Sequence, residues 1–520
     1  MFLFESVIAL LAVAVALAGL SRKIGAPYPA FLALVGAGLA FAPGMPRVEL
    51  EPELALALFV APVLVEAGYG VSVRDLRRDW RPVAGLVLVA VALTTIVVAL
   101  VARWLWPALP LAAAIALGAI VAPPDAVAAS TVLRHVNPPR RLVTILEGES
   151  LLNDASALVI YRAAVIAAGA HFAFWTDGLA LLASVPVSVG FGWLCALAFA
   201  RLSRRFEDAP SAILVQFVFA FGVWLAAERL HLSAVLAVVT YAVVVGRIAP
   251  AKMPARLRLP SHSVWETAIF FLNALAFVLI GLQIGPIMER LDARERLNYF
   301  EIALAVLATV VAVRFAWVFL YGAGVALRAR LRGYSPINPA VRPTARAGLI
   351  VSWCGMRGIL SLAAALALPQ GAADGQGAFP ERDLIVFCAF VVVLGTLVLQ
   401  GFTLGPLLRV LDLPQDEQHD REIGHARTEA MRAAHAALES QAGEAAERVR
   451  AEYASLVAIA DSAPDAFAPS VSQEDRLHQR AIIAARRRLL EMRAAGEIGD
   501  DAFQIVQRQL DRLEMSVADD

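Results

Sequence analysis

The sequence predicts an all-α polytopic membrane protein with a helical cytoplasmic tail. Three observations predict it. The 520 residues are 59% hydrophobic and 17% charged, with a mean hydropathy of +0.68, where a soluble chain would carry roughly 25% charged residues. Apolar runs recur at close to the roughly 20 residues that a helix needs to cross a bilayer. Alternate connections between those runs are basic, the pattern that orients a polytopic chain.

The runs fall at about 2–20, 27–43, 53–71, 82–105, 110–133, 142–168, 178–200, 210–228, 232–248, 263–287, 299–327, 346–369 and 383–410, thirteen in all. The first has no basic segment ahead of it and no small-residue cleavage site before a soluble domain, so it reads as a span and not a signal peptide. The basic connections hold Arg22 and Lys23; Arg74, Arg77, Arg78 and Arg81; Arg134, Arg140 and Arg141; Arg201, Arg204 and Arg205; Arg247, Lys252, Arg256 and Arg258; and five arginines from Arg328 to Arg346. The intervening connections are poor in both residues. The exception is 288–297, where Arg290, Arg294 and Arg296 are matched by Glu289, Asp292 and Glu295. The positive-inside rule then places the basic loops in the cytoplasm, the N-terminus outside the cell membrane and the tail inside. Runs 210–228 and 232–248 are split only by Arg229-Leu230-His231, yet the alternation requires two spans there.

Residues 1–411 therefore form a transmembrane domain in contact with lipid, and 412–520 a cytoplasmic one. The tail is rich in Ala, Glu, Arg and Gln. It reads as helices over 420–459 and 472–516, with Pro464 and Pro469 between them and a hairpin about 496–500. A solvated bundle, regulation and dimer contacts all suit it.

Several classes fall away. Lys and Arg number 45 and so do Asp and Glu, so charge gives no argument for nucleic acid. No G-x-x-x-x-G-K-[ST] loop is present, so transport should be driven by ion gradients without an enzymatic step. Cys195, Cys354 and Cys388 lie singly in apolar runs, which points to no metal site, disulfide or cofactor.

The chemistry concentrates in Glu147-Gly148-Glu149-Ser150-Leu151-Leu152-Asn153-Asp154, at the start of the sixth run. A charge at the bilayer centre costs roughly 2.5–3.5 kcal/mol, so such residues line functional pathways. Ser150 and Asp154, four apart, share one helix face, and Glu149 and Asn153 form the neighbouring pair. In the fifth run, Pro123 and Pro124 remove two backbone donors and should break the helix just before Asp125. Freed carbonyls and half-helix ends at such breaks are where transporters hold cations. Glu66, at the end of the third run, is either interfacial or part of the site. Arg314 and Arg357 lie at membrane depth and need carboxylate partners, with Glu149 and Asp125 available. Gly355 and Gly358 mark either close packing or a second interrupted helix facing the first. Arg162 should snorkel to the outer interface. Oxygen-only ligands suit a hard cation. A dehydrated carboxylate can hold a proton or a cation but not readily both, and that competition is enough for exchange.

The stretch 147–154 also resembles the E-G-E-S-L-x-N-D signature of the monovalent cation:proton antiporters, in the sodium/proton exchanger branch (bacterial NhaP-type, animal NHE-type). Residues 59–69, 271–281 and 353–358 resemble further motifs of that family, and the tail around 493–498 is similar to bacterial members. The resemblance implies an inverted-repeat core with crossed broken helices, a dimerisation domain and a homodimer. It implies that Asp154 binds Na+ and H+, with Ser150 a further ligand. Asn153 stands where electrogenic relatives carry a second Asp, which implies electroneutral exchange. Glu149 resembles the structural acid that pairs with an arginine, Arg314 in preference to Arg357. Asp125 matches the acid at the broken helix. Pro124 replaces a threonine common there, so its carbonyl remains as a ligand while the hydroxyl is lost. Two other readings stay open: a different transporter or channel, for organic anions, and a membrane sensor with a vestigial ion site.

Overall fold

The computed structural model describes residues 2–24, 26–42, 51–125, 129, 133, 138–169, 177–253, 255–332, 344–369, 379–411, 417–440 and 443–462, with isolated positions 484, 485, 487, 491 and 506. Among the described residues every regular element is helical. The chain divides into two compact units, Met1–Gln415 and Asp416–Asp520.

The first unit opens with α1 (Phe2–Ile24) and α2 (Tyr28–Leu39). A short turn, Pro52–Ala55, leads through a π-helical segment, Leu56–Val60, into α3 (Ala61–Gly70). Pro62 explains the widened turn: its ring clashes with the carbonyl four residues back, at Leu58, and a π-bulge makes room. A second π segment, Gly85–Ala90, precedes α4 (Val91–Leu105). Then come α5 (Leu111–Val121), α6 (Arg140–Gly169), α7 (Asp177–Leu202), α8 (Ala209–Arg229) and α9 (Ala234–Lys252). Asp208 caps α8 by accepting the Ser211 N–H at 2.9 Å. His231, at φ 56°, makes the left-handed turn that separates α8 from α9, where the sequence shows only a three-residue interruption. The unit closes with α10 (Ala255–Leu282), α11 (Ala293–Arg332), α12 (Ala345–Trp353), α13 (Ile359–Leu366) and α14 (Arg382–Leu411).

Each apolar run carries at least one of these helices, and eight helical segments are long and apolar enough to cross a membrane. Lipid offers helices no hydrophobic reason to associate, so contact depends on close packing of small residues. Glycines supply it here. A Cβ on Gly281 of α10 would overlap the Ala33 carbonyl of α2, and one on Gly118 of α5 would overlap the Thr95 backbone of α4. Two groupings result. Helices α4, α5 and α6 pack with α11 to α14, while α2 pairs with α10, and α3 and α7 with α9. Leu151 and Ala155 of α6 join the buried cluster of the α3, α7, α8 and α9 group, so α6 touches both.

The second unit holds α15 (Glu417–Leu438) and α16 (Glu444–Ser462). One helix over 420–459 is the expectation there, and the structure divides it. Gly443, at φ 120°, takes a conformation other residues rarely adopt. Arg450 Nη2 donates to the Leu438 carbonyl at 3.1 Å, satisfying the end of α15. The expected helix over 472–516, and its hairpin, lie almost wholly outside the described residues.

Candidate functional site

Two interrupted helices meet in the first unit. The first break follows α5, at Ala122-Pro123-Pro124-Asp125. The second separates α12 from α13, over Cys354–Gly358, which resolves the choice left open for Gly355 and Gly358. They join directly: the Asp125 N–H donates to the Met356 carbonyl at 2.6 Å. A Cβ on Gly358 would run into the Asp125 carboxylate, so glycine is what lets the strands of backbone cross. Gly355 likewise has no room for a Cβ beside the Arg314 side chain. Both glycines therefore serve the break and the packing at once.

The arginines divide two tasks. Arg314 of α11 forms a forked pair with Glu149 of α6: Nη1 to Oε1, and Nη2 to Oε2 at 2.9 Å. Its Nε donates to the Val351 carbonyl at 3.0 Å. Both side chains are buried. Arg357 is buried too, and a carboxylate partner is the expectation for it. It takes backbone carbonyls instead: Val121 at 2.9 Å, Ala122 at 3.1 Å, and Gly355. Its own N–H donates to Thr396 Oγ1 at 3.0 Å. The reason is the break: α5 ends in carbonyls with no helical partner and a partial negative charge, and a guanidinium answers both. Arg357 is thus a cap on a half-helix, where an ion pair is the expectation from sequence.

Helix α6 brings the remaining groups. Asn153, fully buried, donates from Nδ2 to the Pro124 carbonyl at 3.0 Å, while its Oδ1 is buried without a hydrogen bond. Asp154 follows, half-buried, and lies close enough to Asp125 for the two carboxylates to interact as like charges. Ser150, also half-buried, is one turn earlier. Ser156 Oγ donates to the Val87 carbonyl at 2.7 Å, tying α6 to the π segment before α4. The structure therefore gathers Pro124, Asp125, Asn153, Asp154 and Arg357, and sets the Glu149–Arg314 pair one turn away on α6. Glu66 is exposed on α3, which packs against α6, and Glu147 is exposed at the other end of the motif. Arg162 is half-buried and reaches the Leu232 carbonyl at 3.3 Å. The available oxygens are carboxylates, a hydroxyl, an amide and a backbone carbonyl, the donor set of a hard cation.

Sequence reasoning missed three supports. Thr396 and Ser156 are ordinary polar residues in apolar runs, and only the fold reveals their partners. Arg382 caps α13 through the Leu366 and Leu368 carbonyls, both at 2.9 Å. It closes the end of α13 away from the break, whereas Arg357 closes the end of α5 at the break itself. Only Arg382, at the edge of the run 383–410, stands near a predicted helix end; Arg357 lies in the middle of the run 346–369, where no such signal exists.

Half-helices that cross beside a carboxylate at membrane depth define a class: secondary transporters with an ion site at the crossing. The chain belongs to the sodium/hydrogen exchanger family, whose transmembrane description matches residues 8–410. It is 33% identical over 455 residues to a sodium, potassium, lithium and rubidium/H(+) antiporter of Bacillus pumilus, covering 84% of this chain and 65% of that protein, just under two thirds of its length. An uncharacterized Na(+)/H(+) exchanger of Mycobacterium tuberculosis is 30% identical over 534 residues, covering 99% of this chain and 96% of that one. The fold matches the sodium proton antiporter MjNhaP1 of Methanocaldococcus jannaschii with a TM-score of 0.62, at 18% identity, over 79% of this chain and 99% of that one.

Proposed function

We propose that this chain is a secondary active antiporter that exchanges Na+, K+ or Li+ for H+ across the cell membrane, one for one. Asp154 binds the cation and the proton in turn, with Ser150 and the Pro124 carbonyl as further oxygen ligands and Glu66 on the approach. Competition does the coupling. A carboxylate largely out of water is stable when neutralised, by a proton or by a cation, and only a neutralised site crosses. Movement of the α4–α6 and α11–α14 group past the other helices exposes the site to one side and then the other. Thirteen spans with the N-terminus outside, a cytoplasmic tail from residue 412 and a homodimer complete the reading.

One observation carries it. Asp154 sits beside the junction at which Asn153 holds the Pro124 carbonyl and Asp125 holds Met356. The relatives named above support the substrate class. Proteoliposomes with an imposed pH gradient test it: addition of Na+, K+ or Li+ should dissipate the gradient, at a rate unchanged when the membrane potential is clamped. Full exchange by Asp154→Asn would overturn the mechanism. A gradient that persists in wild type with every cation would favour a sensor, and one dissipated only by organic anions a different carrier.

A further inference from the structure

We propose that Gln400 is a positioning residue of the exchange cycle: its amide takes up the unwound backbone of 354–358 in the access state opposite to this one. The inference rests on the exchanger reading above.

Gln400 lies on α14 and is 0% exposed. Neither its Nε2 nor its Oε1 makes a hydrogen bond in this conformation. A side-chain amide offers two donors and an acceptor oxygen. Buried without a protein hydrogen-bond partner, it is more costly than an apolar side chain of the same size. A helix with one fixed environment gains nothing from it.

Its surroundings show what it can meet. Thr396 is one turn before Gln400 on the same face and accepts the Arg357 N–H at 3.0 Å. Thr403 is three residues after it and accepts the Trp353 indole N–H at 2.8 Å. These two hydroxyls hold the two ends of the second break, and Gln400 lies between them. At the next residue, a Cβ on Gly401 would stand 3.7 Å from Met356 Sδ and 3.1 Å from Ala30 Cβ of α2. Gln400 is therefore at the seam where α14, the break and α2 converge. Helix α2 packs chiefly against α10 but also against α14, so this seam is where the two groupings touch and it changes when one moves past the other. The break supplies irregular backbone whose hydrogen bonds can be exchanged there, which a continuous helix cannot. An amide unpaired in one state and paired in the other evens the balance between them.

Gln400→Leu separates this role from simple packing. Melting of the solubilised full-length protein and Na+-driven exchange in proteoliposomes are measured together. The expected result is a melting temperature above wild type, with the maximal exchange rate down roughly tenfold and the apparent KM for Na+ within twofold of wild type. If Gln400→Leu fails to express, Gln400→Met is read by the same criteria. A wild-type exchange rate in the variant, or a lowered melting temperature, overturns the inference. Absence of exchange in wild type instead overturns the exchanger reading, and with it this one.

Discussion

Arg314 and Arg357 bear the same charge at membrane depth, and what surrounds each decides how replacement acts. Arg314 is neutralised by Glu149 in a buried fork. Removing one partner strands the other charge, which costs about 3–5 kcal/mol. Glu149→Ala should therefore melt well below wild type, and the double variant Glu149→Ala/Arg314→Ala should recover part of the loss in the same thermal scan. Arg314→Lys keeps the charge but not the fork, and should fall in between. The Arg357 side chain faces only carbonyls, two of them at the end of α5, and Arg357→Lys loses the fork that spans those two. Its expected signature is weaker cation binding, read as a raised KM for Na+, because Pro124 and Asp125 follow that helix end directly. At Asp154 the competition has a definite sign. Lower pH fills the site with protons, so the apparent KM for Na+ on the same face should rise as pH falls while the maximal rate holds. A KM independent of pH would count against competition at a shared carboxylate.

Among the elements, the two breaks differ in how plainly the sequence announces them. Pro123-Pro124 interrupts the fifth run by covalent geometry alone, and the structure stops α5 at Val121. The second break has no proline. Gly355 and Gly358 permit it, but what requires them is Arg314 on one side and Asp125 on the other, contacts that no local pattern encodes. The same is true of Arg357: a buried arginine announces a need for acceptors without saying whether they are carboxylates or carbonyls. Gly358→Ala should abolish exchange, since its Cβ would displace the Asp125 carboxylate. Gly348→Ala, in α12, is the control, with only Val318 Cγ1 at 3.6 Å. Equal exchange by the two variants would remove the crossing from the mechanism.

For the whole molecule, composition and apolar spacing sufficed for the class, because a bilayer imposes one length and one kind of segment. Which helices pack together was not legible, since it rests on glycines spaced hundreds of residues apart, such as Gly36 and Gly281. The tail was only partly legible, because the amphipathic pattern across 420–459 runs straight through the turn at Gly443. Orientation is open to direct test. In a chain with its three cysteines replaced by alanine, Arg204→Cys should react with an impermeant maleimide only from the cytoplasmic side. Asp292→Cys should react only from outside. The reverse pattern would invert the topology.

The hydrogen bond from Asn153 to the Pro124 carbonyl also bears on the cell's energetics. Under the one-for-one exchange proposed above, the amide at that position leaves a single exchanging carboxylate, neutralised by Na+ in one half of the cycle and by H+ in the other. Neither half of the cycle then moves charge through the electric field, so a voltage worth about 2.3 kcal/mol per elementary charge at 100 mV has nothing to act on. Such a carrier runs on concentration ratios alone. At standstill the sodium ratio across the membrane equals the proton ratio, and no rise in voltage can push sodium extrusion further.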